Sequence, residues 1–140
     1  MTEPCPCGRA STHPGAKAAK RQPLPFLDCC GRYVSERSAT PAPDAESLMR
    51  SRYSAFVLGD LPYLLATWHA STRPADLTLE AAAKWLGLDV RSHCVLDADH
   101  AEVEFVARCR EGGRAVRLHE RSRFVRELGC WFYVDGDNLP

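Results

Sequence analysis

The residues best suited to chemistry in this sequence are its cysteines. The 140-residue chain has seven, and four of them lie within the first 30 residues as two close pairs, Cys5 with Cys7 and Cys29 with Cys30. The N-terminus lacks the basic stretch and apolar run of a secretory signal, so we expect a cytoplasmic protein whose thiols are reduced. Clustered reduced thiols favour metal binding over disulfide formation.

The composition restricts the class of protein and of partner. Lys and Arg number 18, Asp and Glu number 18, and hydrophobic residues make up 45% of the chain, which is typical of a globular domain. A neutral chain has no general attraction to nucleic acid or anionic lipid. No segment approaches the roughly 18 consecutive apolar residues of a membrane span. We therefore predict neither nucleic acid nor membrane as a partner.

The chain divides into two parts of different character. Residues 1–40 are rich in proline and show no sustained hydrophobic period, so this part cannot build a core of its own. Residues 41–140 carry periodic patterns and form the main domain. Metal binding would supply the stability that the first part lacks, because ligand assembly and folding are coupled.

Helices are predicted at the start of the main domain. Apolar residues recur at intervals of three and four over residues 45–57, between an N-capping Asp44 and a terminating Gly59. A second short helix is predicted over Asp60–His69. A third, rich in alanine, is predicted over Thr78–Leu86, with a glycine after it as the stop.

The pattern then changes to a period of two, which indicates strands. Four strands are predicted, and Cys94, Cys109 and Cys130 are interpreted as small buried residues within them. Helices followed by an antiparallel meander describe an α+β domain. The strands cover residues 90–96, 103–109, 115–127 and 130–135, and glycine-containing turns separate the second from the third and the third from the fourth.

Two charged residues fall on faces that should be buried. Arg52 lies in the apolar stripe of the first helix, and Glu120 shares a strand face with Leu118 and Phe124. An unpaired buried charge is costly, so we predict that Arg52 and Glu120 form an ion pair. We interpret this pair as architectural rather than catalytic.

Beyond these patterns, the chain resembles known proteins. Cys5-Pro6-Cys7-Gly8 with Phe26-Leu27-Asp28-Cys29-Cys30-Gly31 resembles the SEC-C motif, a small zinc-binding element. Further segments are similar to the YchJ-like bacterial family, and the resemblance covers essentially the whole chain. These segments are Tyr33-Val34-Ser35, Leu48–Phe56, Thr67-Trp68-His69, Trp85-Leu86-Gly87-Leu88, Glu120–Phe124 and Trp131–Gly136.

The resemblance implies a fold and a pocket. It implies an N-terminal zinc element followed by a nuclear-transport-factor-2-like domain, a cone in which helices lean against a strongly curved antiparallel sheet. The interior of the cone would then hold a set of polar and aromatic residues, namely Arg52, Tyr53, Trp68, His69, Glu120, Trp131 and Tyr133.

The resemblance also implies that Cys5, Cys7, Cys29 and Cys30 are ligands of a structural zinc ion. Four thiolates suit zinc, which prefers closed tetrahedral sites of soft ligands. Residues 8–28 form a longer spacer than the family's usual one, although loop closure adds only about 1 kcal/mol for this difference. His13, within the spacer, is an alternative ligand. The competing interpretation is a broken site with four free or oxidised thiols.

Taken together, these features favour a binding or interaction protein over an enzyme. The zinc element would dock to a protein or ribosomal partner, and the pocket would accept a small molecule. One alternative is an enzyme that uses His69 or Glu120 as a general base. Another is a thiol redox or metal-handling protein. Docking would draw on Arg9, Lys17, Lys20 and Arg21, and a second basic surface is expected at Arg108, Arg110, Arg117, His119, Arg121 and Arg123.

Overall fold

The architecture is α+β, as predicted. The computed structural model describes residues 3–9, 24–34, 41–75, 77 and 84–140. None of the helices in these segments has the length and apolar character needed to cross a membrane. After a 3-10 turn at Phe26–Asp28, the helices are α1 (Gly31–Val34), α2 (Ala45–Leu58) and α3 (Leu61–Ala66). The strands are β1 (Lys84–Asp97), β2 (His100–Glu111), β3 (Arg114–Glu127) and β4 (Cys130–Asn138).

Helix α2 has the ends that the sequence predicts. The Asp44 carboxylate accepts a hydrogen bond from the backbone N–H of Ser47 at 2.7 Å, which satisfies one of the free donors of the first turn. At the other end Gly59 has a left-handed backbone with φ 73° and donates to the carbonyl of Ala55. The helix packs against β1, β2 and β4.

Helix α3 is shorter than the predicted span of Asp60–His69. Asp60 caps it, but it ends at Ala66 because the chain then pairs with β4. The N–H of Tyr133 donates to the carbonyl of Thr67 at 2.8 Å, and the N–H of His69 donates to the carbonyl of Tyr133 at 2.7 Å. This pairing replaces the last predicted turn of helix.

The predicted helix over Thr78–Leu86 is wrong at its C-terminal end. Lys84, Trp85 and Leu86 belong to β1, and residues 78–83 lie outside the described part of the chain. Trp85 pairs with Cys109 of β2, and its ring lies edge-on to that of Tyr53 at 5.6 Å between centroids. Tertiary packing of the indole therefore overrides the local helix preference.

The four strands form one antiparallel sheet in the order β1-β2-β3-β4. The β3–β4 turn places Leu128 and Gly129 at positive φ, 53° and 79°, as a tight hairpin requires. Of the three strand cysteines, Cys109 is buried as predicted and Cys130 is half-buried, whereas Cys94 is exposed. Cys94 lies near the C-terminal end of β1, where the following residues Val95 and Leu96 are exposed as well.

Half of the predicted basic surface is paired with carboxylates within the sheet. Glu104 of β2 accepts a hydrogen bond from Nε2 of His119 at 2.7 Å and lies 3.4 Å from Arg121. Arg123 pairs with Asp135 of β4 at 2.6 Å. Cross-strand carboxylates thus occupy three members of the basic row on β3, which was predicted to be free for a partner.

Candidate functional site

The four N-terminal cysteines converge on one point. Their sulfur atoms all lie within 4.8 Å of one another, and Sγ of Cys7 is 3.6 Å from Sγ of Cys29. Each residue is at most 4% exposed. Zinc bound to four thiolates at about 2.3 Å holds its sulfurs about 3.8 Å apart, so the cluster has the size of a tetrahedral metal site.

A short backbone ladder creates this convergence despite the long spacer. The N–H of Cys5 donates to the carbonyl of Leu24 at 2.9 Å, and the N–H of Leu24 donates to the carbonyl of Arg9 at 2.9 Å. Pro4 and Pro25 form an antiparallel bridge beside them. The two ends of the spacer are therefore paired side by side. This pairing places Cys5 and Cys7 beside Cys29 whatever the length of the spacer. His13 lies outside the described residues.

Helix α2 supplies the polar surroundings of the cluster. Arg50 donates from Nη1 to the carbonyl of Cys7 at 3.1 Å and lies 3.9 Å from the sulfur of the same residue. The hydroxyl of Ser54 is 3.5 Å from Sγ of Cys5. A zinc ion with four thiolates carries a net charge of minus two, so a guanidinium and a hydroxyl at this position would stabilise it.

Glu46 ties the cysteine element to the domain. Its carboxylate accepts from Arg50 at 2.8 Å, one helical turn along α2, and from Arg9 of the N-terminal element at 3.0 Å. Arg9 also donates to the hydroxyl of Ser47 at 3.2 Å. The sequence interpretation overlooked these partners, although Glu46, Arg50 and Ser54 follow one another at intervals of four on one helix face.

The four thiols shift one another's pKa values because they lie so close together. Hydrogen bonding with Cys29 lowers the pKa of Cys5 and lowers that of Cys7 to about 7, and it raises the pKa of Cys30. Four thiols this close cannot all ionise without a cation, so protons are shared unevenly among them. A bound divalent metal would replace these protons.

A cavity of about 270 Å³ lies between α2 and the sheet. Half of its lining residues are aromatic, and Arg52, Glu120, Ser122 and Asn138 add polar groups. Its volume is just below the usual range of about 300–1,000 Å³ for ligand pockets, so it fits a small molecule. The remaining lining residues are Met49, Tyr53, Phe56, Trp68, Trp85, Phe105, Ala107, Leu118, Phe124 and Tyr133.

Arg52 is the buried cation of this cavity, being only 6% exposed. Its Nη1 donates to the carbonyl of Leu64 at 2.8 Å and to the hydroxyl of Thr67 at 2.7 Å. Its guanidinium carbon lies 5.0 Å from the ring centre of Trp68 and 4.7 Å from that of Tyr133. Burial lowers the pKa of Arg52 to about 10, so the side chain remains charged at neutral pH.

The predicted Arg52–Glu120 ion pair does not form. Within the described residues, no carboxylate oxygen lies within 4.0 Å of the Arg52 nitrogens. The hydroxyl of Ser122 instead donates to Oε2 of Glu120. A methyl group at Gly136 would approach Cδ of Glu120 to 2.6 Å, so the glycine leaves room for this carboxylate. The two charges therefore have separate partners. Arg52 binds to α3 and to the residue after it, and Glu120 binds to its neighbour Ser122 on β3.

His69 and Trp131 were predicted to line this cavity, and neither does. Nε2 of His69 lies 2.9 Å from Oε2 of Glu127, and its Nδ1 lies 2.7 Å from the hydroxyl of Ser71, on the exposed side of the α3–β4 junction. Trp131 lines a second cavity, with Tyr33 among its neighbours. His69 lies outside the cavity because α3 ends early. Trp131 shares a strand face with Tyr133, but it lies nearer the start of β4, where it packs beside Leu48 and Tyr63 in the second cavity.

The other predicted pocket residues, Tyr53, Trp68 and Tyr133, do line the cavity. Burial raises the pKa of Tyr53, and it raises that of Tyr133 to about 12, so both phenols keep their protons. The indole N–H of Trp68 is buried and has no acceptor among the described residues. The sequence interpretation overlooked Trp85 and Phe105, whose alternating positions on β1 and β2 indicate burial but not a cavity.

The geometry agrees with comparisons to known proteins. Residues 44–136 match the family model described as the YchJ middle NTF2-like domain. A UPF0225 protein of Polaromonas naphthalenivorans (strain CJ2) is 74% identical over 139 residues, which cover 99% of this chain and 100% of that protein. A UPF0225 protein of Methylibium petroleiphilum is 57% identical over 138 residues, which cover 98% of this chain and 90% of the relative.

Two solved structures are also similar. A SEC-C motif containing protein of Rhodopseudomonas palustris aligns with a TM-score of 0.73 at 30% identity, over 85% of this chain and 95% of that one. A SEC-C motif containing protein of Psychrobacter arcticus aligns with a TM-score of 0.75 at 32% identity, over 95% of this chain and 81% of that one. These matches confirm the resemblance and the fold expected from the sequence.

Proposed function

The chain belongs to the YchJ-like UPF0225 family, and we propose that it is a small-molecule-binding protein whose N-terminal element is held in place by a structural zinc ion. The observation that carries the binding function is the aromatic-walled cavity under α2. Its polar groups converge on a space of about 270 Å³. Such a cavity within a preformed fold is the usual setting for a ligand.

Zinc fits the cysteine cluster by the chemistry of its donors. Four soft sulfur donors at tetrahedral spacing, with no open position for a substrate, describe a structural rather than a catalytic metal site. The ion would hold residues 3–9 and 24–34 together, in addition to the packing of Tyr33 and Val34 in the core. The reduced thiols that it needs are the expected state in the cytoplasm, where we place the protein.

The buried position of the cluster disfavours the redox alternative. A thiol that exchanges with a partner must be reached by it, whereas Cys7 is 0% exposed and Cys30 is 1% exposed. The enzyme alternative loses His69, which lies outside the cavity. Glu120 stays in the cavity as the remaining candidate general base, with the Ser122 hydroxyl as its hydrogen-bond partner and no histidine among the described residues of the cavity lining. Binding is therefore the function that the geometry favours.

Docking of the N-terminal element to a protein or ribosomal partner stays a prediction. Of the four basic residues on which it draws, Arg9 is paired with Glu46 and Ser47. The other three, Lys17, Lys20 and Arg21, lie outside the described residues. The cavity is thus the better-supported binding site.

A neutral single-ring probe tests the binding function. The chain has three tryptophans, so a ¹H–¹⁵N spectrum has three indole signals. Toluene should shift those of Trp68 and Trp85, which line the cavity, in a saturable manner. The signal of Trp131 should stay unchanged, because this residue lines the other cavity. If all three indoles respond equally, or if none responds to toluene or to any other single-ring compound, the cavity is not a ligand site.

A further inference from the structure

The cavity contains a cation with unused hydrogen-bond donors. A guanidinium has five N–H groups, and the two on Nη1 of Arg52 are used by Leu64 and Thr67. Within the described residues, the three on Nε and Nη2 have no acceptor. Because Arg52 lines the cavity and is only 6% exposed, a ligand in the cavity can supply acceptors for these donors.

A carboxylate is the ligand group that best matches these donors. Nε and Nη2 of arginine form a planar fork that pairs with both oxygens of a carboxylate. The charge has no direct ion-pair partner, since no carboxylate of the described residues lies within 4.0 Å of Arg52. A low-dielectric, aromatic site strengthens the attraction to an incoming anion.

Glu120 restricts what the rest of the ligand can be. Ser122 donates to its Oε2, and Oε1 has no donor among the described residues. A second negative charge on the ligand, as on a phosphate dianion or a dicarboxylate, would be repelled by Glu120. A hydroxyl or amine group of the ligand could instead donate a hydrogen bond to Oε1 of Glu120. The two protein charges therefore favour one carboxylate together with a separate hydrogen-bond donor.

The aromatic walls of the cavity indicate which kind of ring the ligand contains. Rings of Tyr53, Phe56 and Trp85 meet at centroid distances of 5.6 and 5.8 Å, and those of Trp68 and Tyr133 meet at 5.1 Å. These aromatic edges and faces suit a planar ring. The volume of about 270 Å³ leaves room for a single ring with its substituents.

We propose that the cavity binds a single-ring carboxylic acid, with the carboxylate on Arg52 and a distal hydroxyl donating to Glu120. This proposal rests on the binding function above and specifies its ligand class. 4-Hydroxybenzoate has these groups and serves as the probe. Benzoate lacks the hydroxyl, and 4-hydroxybenzamide has the same shape without the charge.

Titrations of the full chain, followed at the three indole signals, compare these probes. 4-Hydroxybenzoate should shift Trp68 and Trp85 but not Trp131, and it should bind about tenfold or more tightly than 4-hydroxybenzamide, the value expected for a charge-assisted hydrogen-bonded pair. Benzoate should fall between them. In Glu120→Gln, the affinity for benzoate should rise, because the repulsion of its carboxylate is removed.

The outcomes separate this proposal from the function on which it rests. Equal affinity for the acid and the amide, or no response to any acid, overturns the carboxylate assignment even if toluene still binds. Failure of toluene and of all three probes overturns the binding function itself. Because the comparison between acid and amide uses the unchanged protein, it does not depend on whether an Arg52 variant folds.

Discussion

Replacing Cys29 with serine is expected to remove zinc from the protein and to unfold its N-terminal element. The binding of structural zinc contributes about 10–16 kcal/mol in small zinc domains, and it is coupled to their folding. A serine hydroxyl is a far weaker ligand than a thiolate. Because Arg9 and Cys5 pack against α2, loss of the element also exposes part of this helix. The unfolding temperature should fall by about 10 °C or more.

The matched control is Cys94→Ser. Cys94 is an exposed cysteine of β1 that takes no part in the cluster, so this variant should keep one zinc per chain and the unfolding temperature of the unchanged protein. Native mass spectrometry measures the metal, and thermal unfolding under reducing conditions measures the stability. If Cys29→Ser retains its zinc and unfolds at the same temperature as Cys94→Ser, the cluster is not a metal site.

Arg52→Met should destabilise the domain by about 2–5 kcal/mol. The charge-assisted hydrogen bonds to Leu64 and Thr67 contribute about 1.5–3 kcal/mol each. Stacking on Trp68 and Tyr133 adds about 1 kcal/mol for each ring. Against these gains stands the burial of the cation, and a pKa lowered to about 10 corresponds to a cost of about 3 kcal/mol. The contacts therefore outweigh the burial cost.

Arg91→Met is the control for this substitution. Arg91 also belongs to the domain, but it is exposed on β1 and forms a surface pair with Asp89, so its loss should change the free energy of unfolding by less than about 0.5 kcal/mol. Urea unfolding measures both variants. An Arg52→Met variant as stable as Arg91→Met would show that the buried cation contributes nothing net to the fold.

Features set by neighbouring residues were predictable from the sequence. The caps of α2 at Asp44 and Gly59 and the turn at Leu128-Gly129 depend on contacts within a few residues, and all have the expected conformation. The strands likewise follow from alternation along each segment. The cysteine cluster was expected from the two close pairs of thiols together with the resemblance of this segment to the SEC-C motif.

Features set by contacts between distant segments were not predictable. The apolar stripe placed Arg52 in the interior correctly, but its partners lie on α3 rather than at Glu120. Trp85 lies in a strand because its ring packs on α2, against the helix preference of the alanines before it. His69 lies outside the cavity because the chain after α3 pairs with β4. In each case the deciding interaction is absent from the local sequence.

The central claim is that four thiolates hold a structural zinc ion against α2. X-ray absorption at the zinc edge of the purified, reduced protein tests it most directly, because the measurement counts the ligands and identifies their atoms. We expect one zinc per chain with four sulfur neighbours at about 2.3 Å. Absence of zinc, or a shell containing nitrogen or oxygen in place of a cysteine sulfur, would contradict it.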